Sequence, residues 1–345
     1  MTKTYFWLYF LTLSGLIFST KNAIAQTTYQ PSDRSPVADS TLVGTQVTNN
    51  GNGNFDITGG LNRGQTLFHS FQDFSVPTNG AANFANPAGI RDMISRVTGG
   101  SFSDINGRIN SNGANFFLIN PNGIVFGSNV QLNVGRAFMA STANGINLVD
   151  AGGRAITFGT NPNGDAPLLT ISPNVFFNVS SLNMGGGSGQ ISNFGTLETT
   201  NPSQYIGLIG GNVSMNGGQI KAPGANVELG GLSQAGNIEF SIDRGVKFPA
   251  SVERGNVSLV QVGTSPSIIN VESGGGGSVG IFAKDINLQG AETYISSGIA
   301  AGLGAPTATV GDIKLDATGN ITISQADIYN QVAAGAAGNA GNIEI

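Results

Sequence analysis

A short pattern returns along the second half of the chain: a small residue, Asn, Asp or Ser, then apolar-x-apolar. It occurs as Gly236-Asn237-Ile238-Glu239-Phe240, Gly255-Asn256-Val257-Ser258-Leu259, Ser278-Val279-Gly280-Ile281, Gly311-Asp312-Ile313-Lys314-Leu315, Gly319-Asn320-Ile321-Thr322-Ile323 and Gly341-Asn342-Ile343-Glu344-Ile345. Apolar-x-apolar is the period of a strand with one buried face, and Gly and Asn are residues that turn a chain without strain. Ile238 to Val257 is 19 residues, Val257 to Val279 is 22 and Ile321 to Ile343 is 22. Short strands returning at a period near 20, with no helical periodicity between them, predict a solenoid of stacked coils. Ile313 and Ile321 stand 8 apart, which leaves room for two or three short faces per coil. The expected fold is all-β: a right-handed parallel β-helix with an N-terminal β cap and extra-helical hairpins. Because Ile345 ends on a strand, the chain is expected to stop inside a longer solenoid.

Composition agrees with that architecture and excludes others. There are 52 glycines among 345 residues and only 10% charged residues, unlike a helical protein or an ordinary α/β enzyme. With 39% hydrophobic residues the chain has enough to build a core, so it is not disordered. The net charge of −5, without a basic block, gives nucleic acid no electrostatic footing. Cysteine is absent, so stability must come from burial and backbone pairing, and the chain is free to stay unfolded while crossing a membrane.

The first residues read as a targeting signal. Met1 and Lys3 precede an apolar run from Tyr5 to Phe18, and Ala23-Ile24-Ala25 supplies a small-x-small site before Gln26. Residues 1–25 are expected to be a signal peptide, with cleavage between Ala25 and Gln26. The run is short of the roughly 20 apolar residues a spanning helix needs, so no membrane-spanning segment is expected in the mature chain. From Pro31 to Val76 the pattern changes, with Phe68, Phe71 and Phe74 recurring every third residue. An aromatic plug covering the end of the solenoid is the expectation, since a stack of strands leaves its last edge unpaired.

The densest turn signal lies at Asn120-Pro121-Asn122-Gly123, between the apolar runs Phe116–Ile119 and Ile124–Phe126. Proline presets the first corner, asparagine tolerates the second, and glycine takes the position left-handed for other residues. The local expectation is a β-hairpin.

This segment resembles the heart of the haemagglutination-activity, or two-partner secretion, domain of filamentous haemagglutinin and related exoproteins. The resemblance rests on Asn120–Ile124, on Phe117-Leu118-Ile119 before it, and on Val125-Phe126-Gly127, Val130–Val134 and Ala140-Ser141-Thr142 after it. Arg96–Gly100, Ile105–Ile109 and Leu67–Phe74 fit the same order upstream. A separate NPNL motif found in some members is absent, Asn86-Pro87-Ala88-Gly89 being the nearest string. The resemblance implies a secretion domain over residues 26–230, with further β-helix coils over 231–345. It implies export through the periplasm and recognition by the POTRA domains of an outer-membrane transporter, with release to the medium or cell surface. It also implies an adhesin-like role toward glycans or proteins of a host or neighbouring cell. Asn120, Pro121, Asn122, Gly123 and Ile124 are the implied transporter-recognition or folding motif.

The rival reading is a carbohydrate-active β-helix enzyme, which needs carboxylates and basic groups laddered over consecutive coils. Here Asp92, Asp104, Asp150, Asp165, Glu198, Glu228 and Asp243 are scattered. Asp92 beside Arg91 and Arg96, and Asp104 near Arg108, read as structural pairs. The single histidine, His69, sits among phenylalanines without a Gly-x-Ser-x-Gly partner and reads as a capped, partly buried side chain. Neither catalysis, a metal nor a cofactor is expected. Gly51–Asp56 departs from a calcium repeat by one place and occurs once, and Gly274–Gly277 lacks the lysine of a phosphate cradle. A glycan-gripping module would show aromatics in line along one face, and few follow Phe177.

Overall fold

A computed structural model describes residues 29–40, 43–150, 152–161, 168, 177–199 and 205–345. Ala25 and Gln26 lie outside them. The chain forms a parallel β-helix. Its first face runs through Thr66–Asp73, Asp92–Val97, Asn115–Ile119, Ala137–Ser141, Tyr205–Gly210, Asn226–Gly231, Ser278–Ala283, Ile313–Ala317 and Ile343–Glu344, each parallel to the next. The second face runs from Ser103–Ile105 through Ile124–Phe126 and Ile191–Asn193 to Ile321–Ser324. The third is split into two sheets, one ending at Gln131–Asn133 and the other starting at Thr196–Glu198, joined by a single bridge between Leu132 and Thr199.

The core follows from this register. Met93, Phe116, Phe138, Ile206, Val227, Val279 and Ile313 stand directly above one another on the inward side of the first face, all buried. Stacking like on like in this way buries apolar surface worth about 1.5–3 kcal/mol per side chain. Rings fill the first coils: Phe71 meets Phe74 at 4.9 Å, Phe84 meets Phe116 at 4.9 Å and Phe126 meets Phe138 at 5.9 Å. Phe68 and Phe71 are thus residues of the strand Thr66–Asp73, which sends them to opposite sides, while Phe74 lies just past its end and joins Phe71 in the main core. Phe71 enters the main core, while Phe68 faces outward against Phe158, 4.9 Å away. The cap itself is the antiparallel pair Thr45–Asn49 and Asn54–Gly59, whose second strand continues the third face below Ala81–Phe84.

Two excursions leave the coils. Gly145–Asp150, Ala155–Gly159, Phe177–Met184, Gly236–Ser241 and Gly245–Lys247 form one antiparallel sheet laid over the outside of the first face. A second apolar cluster lies between them, with Phe117, Met139, Ile146, Leu182, Ile238 and Phe240 among its members.

The recurring pattern proves to mark strand entry rather than coil phase. Gly236–Phe240 belongs to the excursion sheet and is not a coil strand. Val257 lies on the second face and Val279 on the first, so their spacing spans different sides of the helix. True coil spacings of 21–23 residues appear in the pairs Tyr205 with Asn226, Phe116 with Phe138 and Asp92 with Asn115. The asparagines have a shared task. Asn212 Oδ1 accepts from the Asn256 amide (2.7 Å), Asn256 Oδ1 from Asp285 (3.1 Å) and Asp285 Oδ1 from Asn320 (2.8 Å), a ladder up one corner. Asp312 does the same for Asn342 at the corner leading to the first face (2.7 Å). Each satisfies an amide that the turn would otherwise leave without a partner.

Candidate functional site

Asn120–Gly123 is the corner between the first and second faces, not a hairpin. The strands on either side never pair with each other, because Asn115–Ile119 is flanked by Asp92–Val97 and Ala137–Ser141, and Ile124–Phe126 by Ser103–Ile105 and Ile191–Asn193. A hairpin would leave those neighbouring edges open, whereas a corner satisfies both sides of each strand. The Gly123 amide donates to the Asn120 carbonyl at 3.1 Å, closing a four-residue turn, and Gly123 has φ 120°. Asn120 Oδ1 accepts from the Asn122 amide (3.0 Å) and side chain (3.1 Å). Asn120 Nδ2 donates to the Ser101 carbonyl (2.9 Å) and Ser103 Oγ (3.0 Å). Asn122 Nδ2 reaches the Gly99 carbonyl at 2.7 Å. Asn120 is fully buried, Gly123 and Ile124 are buried, Pro121 is half-buried and Asn122 is exposed.

The corner begins a column. Gly189 donates its amide to the Pro121 carbonyl (2.8 Å) and Gly211 to Gly189 (3.0 Å). Higher up, Lys284 donates to Gly255 (2.8 Å) and Gly319 to Lys284 (2.7 Å). Glycine is needed where backbones meet this closely: a Cβ on Gly189 would lie 2.4 Å from the Gly123 nitrogen. Nothing in the corner offers a nucleophile or a general base.

The other candidate residues are held apart. His69 points into the main core beside Phe84 (5.3 Å) and Phe71 (6.2 Å), and burial pushes its imidazole down to about 4, leaving it neutral. Asp92 accepts from Arg91 (2.8 Å) and Asn115 (2.8 Å), and Arg96 is not its partner. Arg96 is fully buried, donating to Ser70 Oγ (2.8 Å) and the Gly159 carbonyl (2.5 Å) with its guanidinium 4.3 Å from the Phe158 ring. Arg108 binds Gln131 rather than Asp104. Gly51–Asp56 spans the cap's turn and the start of its second strand. Among the described residues no group of three or more His, Asp or Glu could hold a metal, and no helix is long and apolar enough to cross a membrane.

Two buried constellations went unnoticed in the sequence. Asp104 accepts from Tyr29 and Ser32, partners 75 and 72 residues away, which no local pattern announces. The Tyr205 hydroxyl donates to Glu228 Oε2 (2.8 Å), which also accepts from the Val246 amide (2.8 Å). The coil spacing would have placed these two on adjacent strands. Burial raises the Glu228 carboxyl to about 7, against the lowering effect of those two donors. A carboxyl with a raised folded pKa stabilises the fold below its ordinary value, and that stabilisation is lost as pH rises through about 7. Neutral His69 acts oppositely, costing stability only below its ordinary value of 6.5. The melting temperature is therefore expected to fall between about pH 6.5 and about pH 8 in the wild type, and Glu228→Gln is expected to flatten that fall. An unchanged slope would assign it to another group.

A sequence model of the TPS secretion domain matches residues 35–276. The chain belongs to the TPS secretion domain family. The matched stretch takes in the cap, both excursions and the coils up to Ile268–Asn270. Among solved structures, the TPS domain is similar to the HMW1 secretion domain from Haemophilus influenzae, at 18% identity and TM-score 0.52 over 90% of this chain and 73% of that one. A filamentous haemagglutinin secretion domain matches at 15% identity and TM-score 0.45, covering 90% of this chain and all of the other. No curated protein sequence matches significantly.

Proposed function

We propose that this TPS domain is the module by which an exoprotein is taken across the outer membrane, through recognition by the POTRA domains of a partner β-barrel transporter. Residues 26–230 are read by the transporter, and 231–345 are coils that follow it out. The family match over residues 35–276 carries the reading. Physical chemistry supports it. An unfolded chain of alternating strands can add to an exposed sheet edge in the partner, main-chain bonds giving affinity and alternate side chains selectivity. Once outside, coils stack by nearest-neighbour contacts with no disulfide to form. The exported protein serves as a surface adhesin for glycans or proteins of another cell. The test is to express residues 1–345 in a Gram-negative host with the POTRA-barrel protein encoded beside its gene, or with that barrel stripped of its POTRA domains. Material should appear outside the cell only with the intact transporter. Equal export in both strains would overturn the proposal.

A further inference from the structure

Tyr29–Arg34, upstream of every coil, lies across the second face. The Tyr29 hydroxyl donates to Asp104 Oδ1 at 2.6 Å, and the Ser32 amide donates to Asp104 Oδ2 at 2.7 Å. The Tyr29 ring stacks on Phe194 with centroids 5.3 Å apart and planes at 25°. It occupies the space above Gly127, where a Cβ would stand 2.5 Å from the phenol oxygen. Arg34 completes the segment, its guanidinium 4.3 Å over the Phe102 ring and 3.5 Å from Asp73.

These seats come from three successive coils. Asp104 belongs to Ser103–Ile105, Gly127 follows Ile124–Phe126, and Phe194 follows Ile191–Asn193, beyond the first excursion. With the segment in place Asp104 is only 2% exposed and each of its carboxylate oxygens accepts a donor from the segment, so docking both covers this carboxylate and satisfies it. We propose that Tyr29–Arg34 is an intramolecular strap whose seat exists only after three coils have stacked, so that the segment preceding the coils closes last and then holds them in register. This goes beyond transport and does not depend on which partner carries the chain.

Hydrogen exchange read by mass spectrometry on the folded protein tests it. The Ser32 amide is expected to be protected in the wild type. Asp104→Asn should speed its exchange roughly 10- to 100-fold, as loss of a charge-assisted bond implies, while the strand Asn115–Ile119 keeps its protection. Phe194→Leu should loosen residues 29–34 as well, although it lies in the third of the coils. Tyr29→Phe, which removes one oxygen and no ring, serves if Asp104→Asn does not accumulate. In pulse-labelled refolding, protection at Ser32 should appear after protection at Leu118. The strap is wrong if wild-type Ser32 exchanges at the free-peptide rate or if Phe194→Leu leaves residues 29–34 unchanged. Protection of Ser32 before Leu118 would overturn the order of closure.

Discussion

Gly231→Ala and Gly255→Ala are each expected to destabilise the domain by about 3–5 kcal/mol, far above the usual cost of a single added methyl. A Cβ on Gly231 would sit 1.3 Å from the Gly210 carbonyl oxygen, and one on Gly255 would sit 1.4 Å from that of Gly211. Neither obstacle is a side chain that can swing away. The Gly255 amide donates to Gly231 (3.0 Å) and its carbonyl accepts from Lys284 (2.8 Å), so relieving the clash means breaking the corner column. Both glycines flank the second excursion, where the chain leaves the helix after Asn226–Gly231 and returns before Val257–Val260. Gly100 is the control, with no heavy atom within 4 Å of its added Cβ, and Gly100→Ala should be near neutral. Thermal unfolding reads the difference, roughly 10 °C or more for the first two. Melting temperatures within a few degrees of Gly100→Ala would show that the column can give way.

That column also explains what was legible in the sequence. Alternation and the Gly-Asn corners reveal strands and turns because both are local properties. Coil phase is not local. The same Gly-Asn-apolar start opens the second face at Val257, the first face at Ile343 and an excursion strand at Ile238, since each needs only an amide satisfied and a tight bend. The turn at Asn120–Gly123 misleads for the same reason. Its dihedrals suit a hairpin or a corner, and the choice is made by partners 21–23 residues away in Asp92–Val97 and Ala137–Ser141. Tyr29 shows the extreme case, held by residues on three coils with no pattern of its own. The candidate motif was visible in the sequence, but its enclosure was not, because Asn120 is buried by Ser101 and Ser103 from the preceding coil.

That enclosure separates two roles for the motif. In the folded domain buried Asn120 makes bonds to Ser101, Ser103 and Asn122, whereas the exposed Asn122 side chain donates to the Gly99 carbonyl and to Asn120 Oδ1, which keeps the Asn122 amide as a donor without it. Asn120→Ala should therefore cost about 2 kcal/mol, leaving buried partners unpaired, and Asn122→Ala about 0.5–1 kcal/mol. In an extended chain both asparagines are equally on display. If the transporter reads Asn120–Ile124 before folding, the two variants lose secreted yield to a similar extent, about tenfold if each forfeits some 1.4 kcal/mol of recognition. We expect that outcome, with Asn122→Ala falling well below wild-type yield while its melting temperature barely moves. The paired measurement is secreted yield with the transporter present and thermal unfolding of the purified domain. Yields that follow stability, with Asn120→Ala poor and Asn122→Ala close to wild type, would reduce the motif to a corner of the β-helix.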